Sequence, residues 1–197
     1  MELYLIRHGE SEANSTDTHS GWSPVNLTPL GEAQAAQTGA LLSGTTFDRI
    51  FVSDIKRAQQ TAHIIFPGRH YTYIPLAREM NNTTMQGKTY ADMLALFPDL
   101  YPVCRKRFDY SPLGLDCESG AHMLARAGEF LRFMQGIDAN RIACVCHAGF
   151  IRTCAAYVLG ASTHNPPLTC RNASVSVLSY AKDKWRIKLW DATGDWP

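Results

Sequence analysis

Two histidines and two arginines in this chain share a setting from which they could handle phosphate. Arg7-His8-Gly9 closes one apolar run, Leu3-Tyr4-Leu5-Ile6, and His147-Ala148-Gly149 closes another, Ile142 to Cys146. Arg57 stands just beyond a third run, Ile50-Phe51-Val52-Ser53. Two guanidiniums offer planar forks that match phosphate oxygens, and so much positive charge in one place asks for a dianion. A neutral imidazole at His8 could attack phosphorus through one ring nitrogen. The other nitrogen must then keep its proton, held by an acceptor such as a backbone carbonyl. The arginines and His147 would stabilise charge growing on the equatorial oxygens. A departing alcohol needs a proton. Glu79, after the run Tyr71–Ile74, is the acid best placed by sequence context. Beside a clamped dianion its pKa should rise, keeping it protonated until needed, after which it could serve as base for water.

These residues must be brought together by the elements that carry them. Each apolar run is short and unbroken, the pattern of a strand buried on both faces of a sheet. If the three strands are parallel neighbours, their carboxyl ends share one edge, where open α/β sheets bind ligands. The polar stretch Ser11–Asn26, with Gly21-Trp22, is expected as a loop forming one lip of the pocket. Thr28 and Pro29 open a helix expected to run to about Ser43, stopped by Gly44. Further helices are predicted over about Lys56–Ile65, Tyr90–Phe97 and Ser119–Met134, and from His147 to Leu159, stopped by Gly160. Met123, Ala127, Phe130, Leu131 and Met134 lie at helical spacing and are assigned to the core. Asp54 is read as a helix N-terminal residue favoured by the dipole. The segment 98–117, with Arg105-Lys106-Arg107, Pro112 and Gly114, reads as a loop-rich cap within residues 80–118. The chain closes in period-two alternation across Lys182-Asp183, an antiparallel hairpin at a sheet edge that also accounts for Trp185, Trp190 and Trp196.

With 197 residues the chain suits one α/β domain, 1–197, and is short for two. Its net charge of +1 does not argue for nucleic acid, and no apolar stretch approaches the roughly 20 residues that span a membrane. No signal peptide is apparent, so the expectation is a cytoplasmic protein whose six cysteines are free thiols. Cys144 and Cys146 alternate in a strand and should pack on one side in the core. Cys144-x-Cys146-His147 matches no usual zinc spacing, and no carboxylate cluster accompanies the histidines, so neither metal nor cofactor is expected.

Leu5-Ile6-Arg7-His8-Gly9-Glu10 with Asn14, Gly21-Trp22, Leu27-Thr28-x-x-Gly31-x-x-Gln34, Arg57-Ala58-x-Gln60-Thr61-Ala62 and His147-Ala148-Gly149-x-Ile151-Arg152 together resemble the histidine phosphatase superfamily, in its phosphoglycerate mutase-like branch. The resemblance covers nearly the whole chain in the family's order. It implies a three-layer α/β/α sandwich with a mixed, mainly parallel sheet. It implies a phosphohistidine at His8 and a phosphate pocket of Arg7, Asn14, Arg57 and His147. Glu79 maps to the family's acid/base glutamate, and Gly21 and Ala148 join Asn14 as substrate-binding positions. The small residues Ala148-Gly149 after His147 resemble the mutase-like branch more than the acid phosphatases and phytases.

The chain departs from the family where a Phe-Gly-x-Trp-Glu-Gly stretch often follows the glutamate. Here Asn82-Thr83-Thr84-Met85-Gln86-Gly87 keeps only the glycine. True mutases resembling this family carry a longer insertion and tail, so compactness favours cofactor-independent hydrolysis of a small phosphorylated metabolite by a monomer or homodimer. Phosphoglycerate mutase-type transfer and a catalytically weak phospholigand binder are the alternatives, with a metal-dependent hydrolase behind them. Sugar phosphates, fructose 2,6-bisphosphate, phosphoglycerates and α-ribazole phosphate are all substrates the resemblance allows. Arg105-Lys106-Arg107 reads as a solvated basic turn, with a second anion site as the other reading. His19 could touch substrate, whereas His63, His70, His122 and His164 read as surface or packing residues.

Overall fold

The computed structural model describes residues 1–161 and 166–194; His164 and Trp196, both assigned above, lie outside them. In chain order the elements are β1 (Glu2–Arg7), α1 (Glu12–Ser15), α2 (Pro29–Leu41), β2 (Arg49–Val52), α3 (Lys56–Ile65), β3 (Thr72–Tyr73), α4 (Tyr90–Leu96), α5 (Leu100–Arg107), α6 (Gly120–Gln135), β4 (Arg141–Cys146), α7 (Ala148–Leu159), β5 (Val175–Ala181) and β6 (Lys184–Ala192). One sheet holds all six strands in the order β3-β2-β4-β1-β5-β6. β3, β2, β4 and β1 run parallel, while β5 is antiparallel to both β1 and β6.

Strand alternation sorts the core into two layers. Leu3, Leu5, Cys144 and Cys146 point to one face, where they meet Met123, Phe130, Leu131 and Met134 of α6 and Phe150, Ile151 and Cys154 of α7. Ile6, Val52, Ala143 and Val145 point to the other, against Ala35 of α2 and Ala58, Ala62 and Ile65 of α3. Helices on both faces of a mainly parallel sheet make the three-layer sandwich, and they explain why β1 and β4 read as continuous apolar runs. All six cysteines are buried free thiols.

Several local expectations change. The stretch 11–26 contains α1, closed by a capping box in which the Ser11 side chain accepts from Asn14 N–H and the Asn14 side chain accepts from Ser11 N–H. The segment 98–117 is not all loop: α5 occupies Leu100–Arg107. Pro102 sits in its first turn, where a helix needs no N–H donor, so the proline does not break it. Arg105, Lys106 and Arg107 are solvent-exposed, as expected of a solvated basic stretch, but they form the last turn of α5, where cations suit the helix dipole. Asp54 precedes α3 and is tied by a two-pronged ion pair to Arg78, a partner 24 residues away that local pattern could not reveal. α2 ends at Leu41, before the expected Ser43. At the hairpin, Lys182 and Asp183 both take positive φ, 51° and 57°, the twist that joins β5 to β6 tightly. No helix among the described residues is long and apolar enough to cross a membrane.

Candidate active site

Parallel pairing of β1 and β2 with β4 puts their carboxyl ends on one edge. The backbone holds that edge closely. His8 N–H donates to Cys146 C=O at 3.0 Å, and His8 C=O accepts from Ala173 N–H at 3.1 Å. Gly9 N–H donates to Thr61 Oγ1 of α3 at 3.1 Å. A Cβ on Gly9 would stand 2.2 Å from the Gly31 carbonyl oxygen, so the start of α2 reaches this loop only because residue 9 has no side chain.

The His8 ring is buried and its two nitrogens are differently engaged. Nδ1 lies 2.7 Å from the Gly9 carbonyl oxygen. A carbonyl can only accept, so Nδ1 carries the proton. Nε2 accepts from Arg57 Nε–H at 3.1 Å. The imidazole therefore presents a lone pair at Nε2. Desolvation first, then the charges of Arg57 and Arg7, lowers its pKa well below 6.5. The ring is neutral at neutral pH.

Arg57, 1% exposed, is fixed by two loop carbonyls. Its Nη2 donates to Gly21 C=O at 2.9 Å and its Nη1 to Ser23 C=O at 3.3 Å. Burial pulls its pKa down to about 10, which still leaves it charged at neutral pH. Arg7 donates from Nη1 to Cys170 C=O at 2.6 Å, while its buried Nε has no partner among the described residues. His147 caps α7 from the tip of β4, and its ring centroid is 5.2 Å from that of His8. Nε2 meets Ser53 Oγ at 2.8 Å, and the buried Nδ1 has no partner among the described residues. Desolvation, then Arg57 and His8, holds this imidazole neutral as well. Arg7 and Arg57 thus bring two guanidiniums to the neighbourhood of two neutral imidazoles, and Glu79 is the carboxylate whose charge both arginines feel.

Glu79 reaches the same region from an irregular segment. Its Oε2 accepts from Gly149 N–H at 3.0 Å, two residues beyond His147 in the first turn of α7, and its Oε1 accepts from Met80 N–H at 2.9 Å. Its backbone carbonyl accepts from Trp22 Nε1–H at 2.7 Å. Arg126 of α6 grips the same segment, donating to the carbonyls of Leu76, Arg78 and Glu79. Glu118 holds that guanidinium at 3.0 and 2.8 Å while accepting from Asn81 N–H. A Cβ on Gly149 would lie 2.3 Å from Glu79 Oε1, so this approach also needs glycine.

Asn14 lies at the margin. Its Oδ1 accepts from Ser11 N–H and from Asn172 Nδ2–H at 3.1 Å, and Asn172 also donates to His8 C=O at 3.2 Å. Gly21 enters through its carbonyl, and Ala148 is the first residue of α7. Arg105, Lys106 and Arg107 are exposed, and Arg105 stacks on Tyr90 at 4.7 Å. His19 bonds Tyr101 Oη through Nε2 at 2.7 Å, at the rim of a cleft that Glu79 also lines. His63 pairs with Tyr71 and His122 with Glu118, both at the surface with His70. Among the described residues no three His, Cys, Asp or Glu side chains are grouped to hold a metal ion.

Sequence reasoning overlooked Ser53, Thr61, Asn172 and the Glu118–Arg126 pair. Ser53 and Thr61 lie within stretches already singled out, and their polarity at a strand tip and on a buried helix face was the signal. Asn172 carried none.

The arrangement can seat a tetrahedral dianion before an imidazole lone pair. The chain is 32% identical over 123 residues to the phosphoglycerate mutase of Candida albicans, a match covering 58% of this chain and 50% of that protein. It is 44% identical over 69 residues to the adenosylcobalamin/alpha-ribazole phosphatase of Salmonella typhimurium, covering 35% and 34%. These matches thus span half or less of either relative. The structure superimposes on a mycobacterial glucosyl-3-phosphoglycerate phosphatase with a TM-score of 0.85 at 25% identity, covering 98% of this chain and 99% of that one. Residues 3–193 match the sequence model of the histidine phosphatase superfamily (branch 1), and the chain belongs to that family.

Proposed function

We propose that the protein hydrolyses small phosphomonoesters through a phosphohistidine on His8. The observation that carries this reading is the pair of contacts on one ring: Nδ1–H is held by the Gly9 carbonyl, which leaves Nε2 as the lone-pair nitrogen, accepting from Arg57 Nε–H. Substrate phosphate enters between Arg7, Arg57 and His147. Arg57 Nε–H turns from His8 Nε2 to a phosphate oxygen, which frees the lone pair. Arg7 Nε–H and His147, each with a nitrogen that has no partner among the described residues, take the remaining oxygens. Asn14, Gly21 and Ala148 border the substrate.

Nε2 attacks phosphorus as the ester P–O bond breaks, and protonated Glu79 gives its proton to the leaving oxygen. Glu79, now a carboxylate, takes a proton from the water that attacks the phosphohistidine. The P–N bond breaks, phosphate leaves and neutral His8 is restored. Neither step consumes a cofactor. We place this activity in one domain, 1–197, acting in the cytoplasm as a monomer or homodimer; the buried free thiols suit a reducing compartment.

Rapid quenching with a phosphorus-labelled aryl phosphate tests the reading. Wild-type protein should trap label that is stable to base and lost in acid, mapping to His8. His8→Ala should trap none and lose turnover by about 10⁴-fold or more, as nucleophile removals do. Turnover by His8→Ala near the wild-type rate would overturn the proposal.

A further inference from the structure

Beside Glu79 lies a cleft of about 230 Å³, lined by Gly21, Glu79, Phe108, Tyr110, Gly149 and Arg152 among others. If Glu79 protonates the departing oxygen, the leaving group must occupy this cleft. Its two charged lining side chains are in opposite conditions. Both oxygens of Glu79 are engaged by backbone N–H groups. Arg152 has no hydrogen bond or ion pair among the described residues, and its Nε is buried without a partner. Its guanidinium carbon lies 5.8 Å from the centre of the Phe108 ring. A buried cationic N–H with no acceptor is costly and calls for a missing partner.

We propose that Arg152 is the recognition residue for a second anionic group, carried by the alcohol half of the substrate. This rests on the phosphatase reading above and names its substrate class: small phosphomonoesters whose leaving group bears a carboxylate or a second phosphate. The guanidinium fork matches either anion. Arg105-Lys106-Arg107, the other cationic candidate, is exposed and does not line this cleft.

The test compares three esters of similar size: phosphoglycolate, its uncharged amide and ethylene glycol bisphosphate. Each is measured as kcat/KM with wild type, Arg152→Gln and Arg152→Lys. The ratio between esters within one preparation does not depend on the fraction folded, so partial loss of structure does not blur it. Wild type should favour at least one anionic ester over the amide by about 10-fold or more, the range for a charged group that leaves its partner unpaired when removed. Whichever anionic ester leads identifies the anion. Arg152→Gln should bring that ratio near one, and Arg152→Lys should keep part of it. A wild-type ratio near one with all esters turned over would overturn the role of Arg152 and leave the phosphatase reading standing. An equal loss on all three esters in Arg152→Gln would place Arg152 with the transferred phosphate and likewise overturn it. No turnover of any ester by wild type would overturn both.

Discussion

The two sides of the pocket are built differently. On the strand-tip side, His8, Arg57 and His147 are nearly or fully buried and sit on or beside β1, α3 and β4. Backbone carbonyls or a buried hydroxyl fix their polar atoms. On the other side, Glu79 belongs to no helix or strand. It is positioned by long side chains from elsewhere, Arg126 and Trp22, and by one N–H at the start of α7. The first side cannot shift without disturbing the sheet. The second can be rebuilt by changing loops. The groups proposed to handle the phosphoryl group are thus fastened to strand tips and to α3, whereas the proposed proton donor is fastened to an irregular segment.

The proposed roles make the two sides respond differently to damage. Glu79→Gln should give the largest graded effect. With alkyl esters, whose alkoxides need a proton, kcat should fall by about 10²–10⁴-fold. With nitrophenyl esters, which leave unaided, the loss in the first step should be far smaller. Initial phosphoenzyme formation with both ester types checks this, and an equal loss would move the acid to another residue. Arg57→Ala should cost about 10²–10³-fold on every ester, because its guanidinium stabilises the phosphoryl group and not the leaving oxygen. A leaving-group dependence there would mean that the two sides are not separate in function.

The same contrast governs what could be read from sequence. The strand-tip side was legible because β1, β2 and β4 are short apolar runs, each followed by a charged or imidazole side chain, and parallel pairing then forces convergence. Period-two alternation placed Cys144 and Cys146 in the core, as they are found. The cap side was legible only in part. α5 was hidden by Pro98 and Pro102, which look like breakers until their place at a helix start is known. The Asp54–Arg78 and Glu118–Arg126 pairs join segments through side-chain geometry that leaves no periodic trace. Asn172 meets His8 because β5 returns antiparallel beside β1, which no local pattern announces.

The smallest effect concerns the cost of the buried imidazoles. His8 and His147 both have folded-state pKa values well below 6.5, chiefly through desolvation. Unfolded, each would take up a proton as pH falls through about 6.5. Below that point the unfolded chain binds more protons than the folded one, so stability falls with falling pH. Above it both states are neutral at these sites and the two contribute no slope. Each histidine that stays neutral when folded adds about 1.4 kcal/mol per pH unit inside the window. Urea unfolding between about pH 8 and pH 5 should show stability level at the upper end and declining below about 6.5, and His147→Gln should make the decline shallower. The catalytic limb should behave oppositely, since a neutral His8 remains nucleophilic through the same range. An activity that drops with an apparent pKa near 6.5 and vanishes with His8 charging would show that water reaches the ring, and the difference between the closed strand-tip side and the open cap side would not hold in solution.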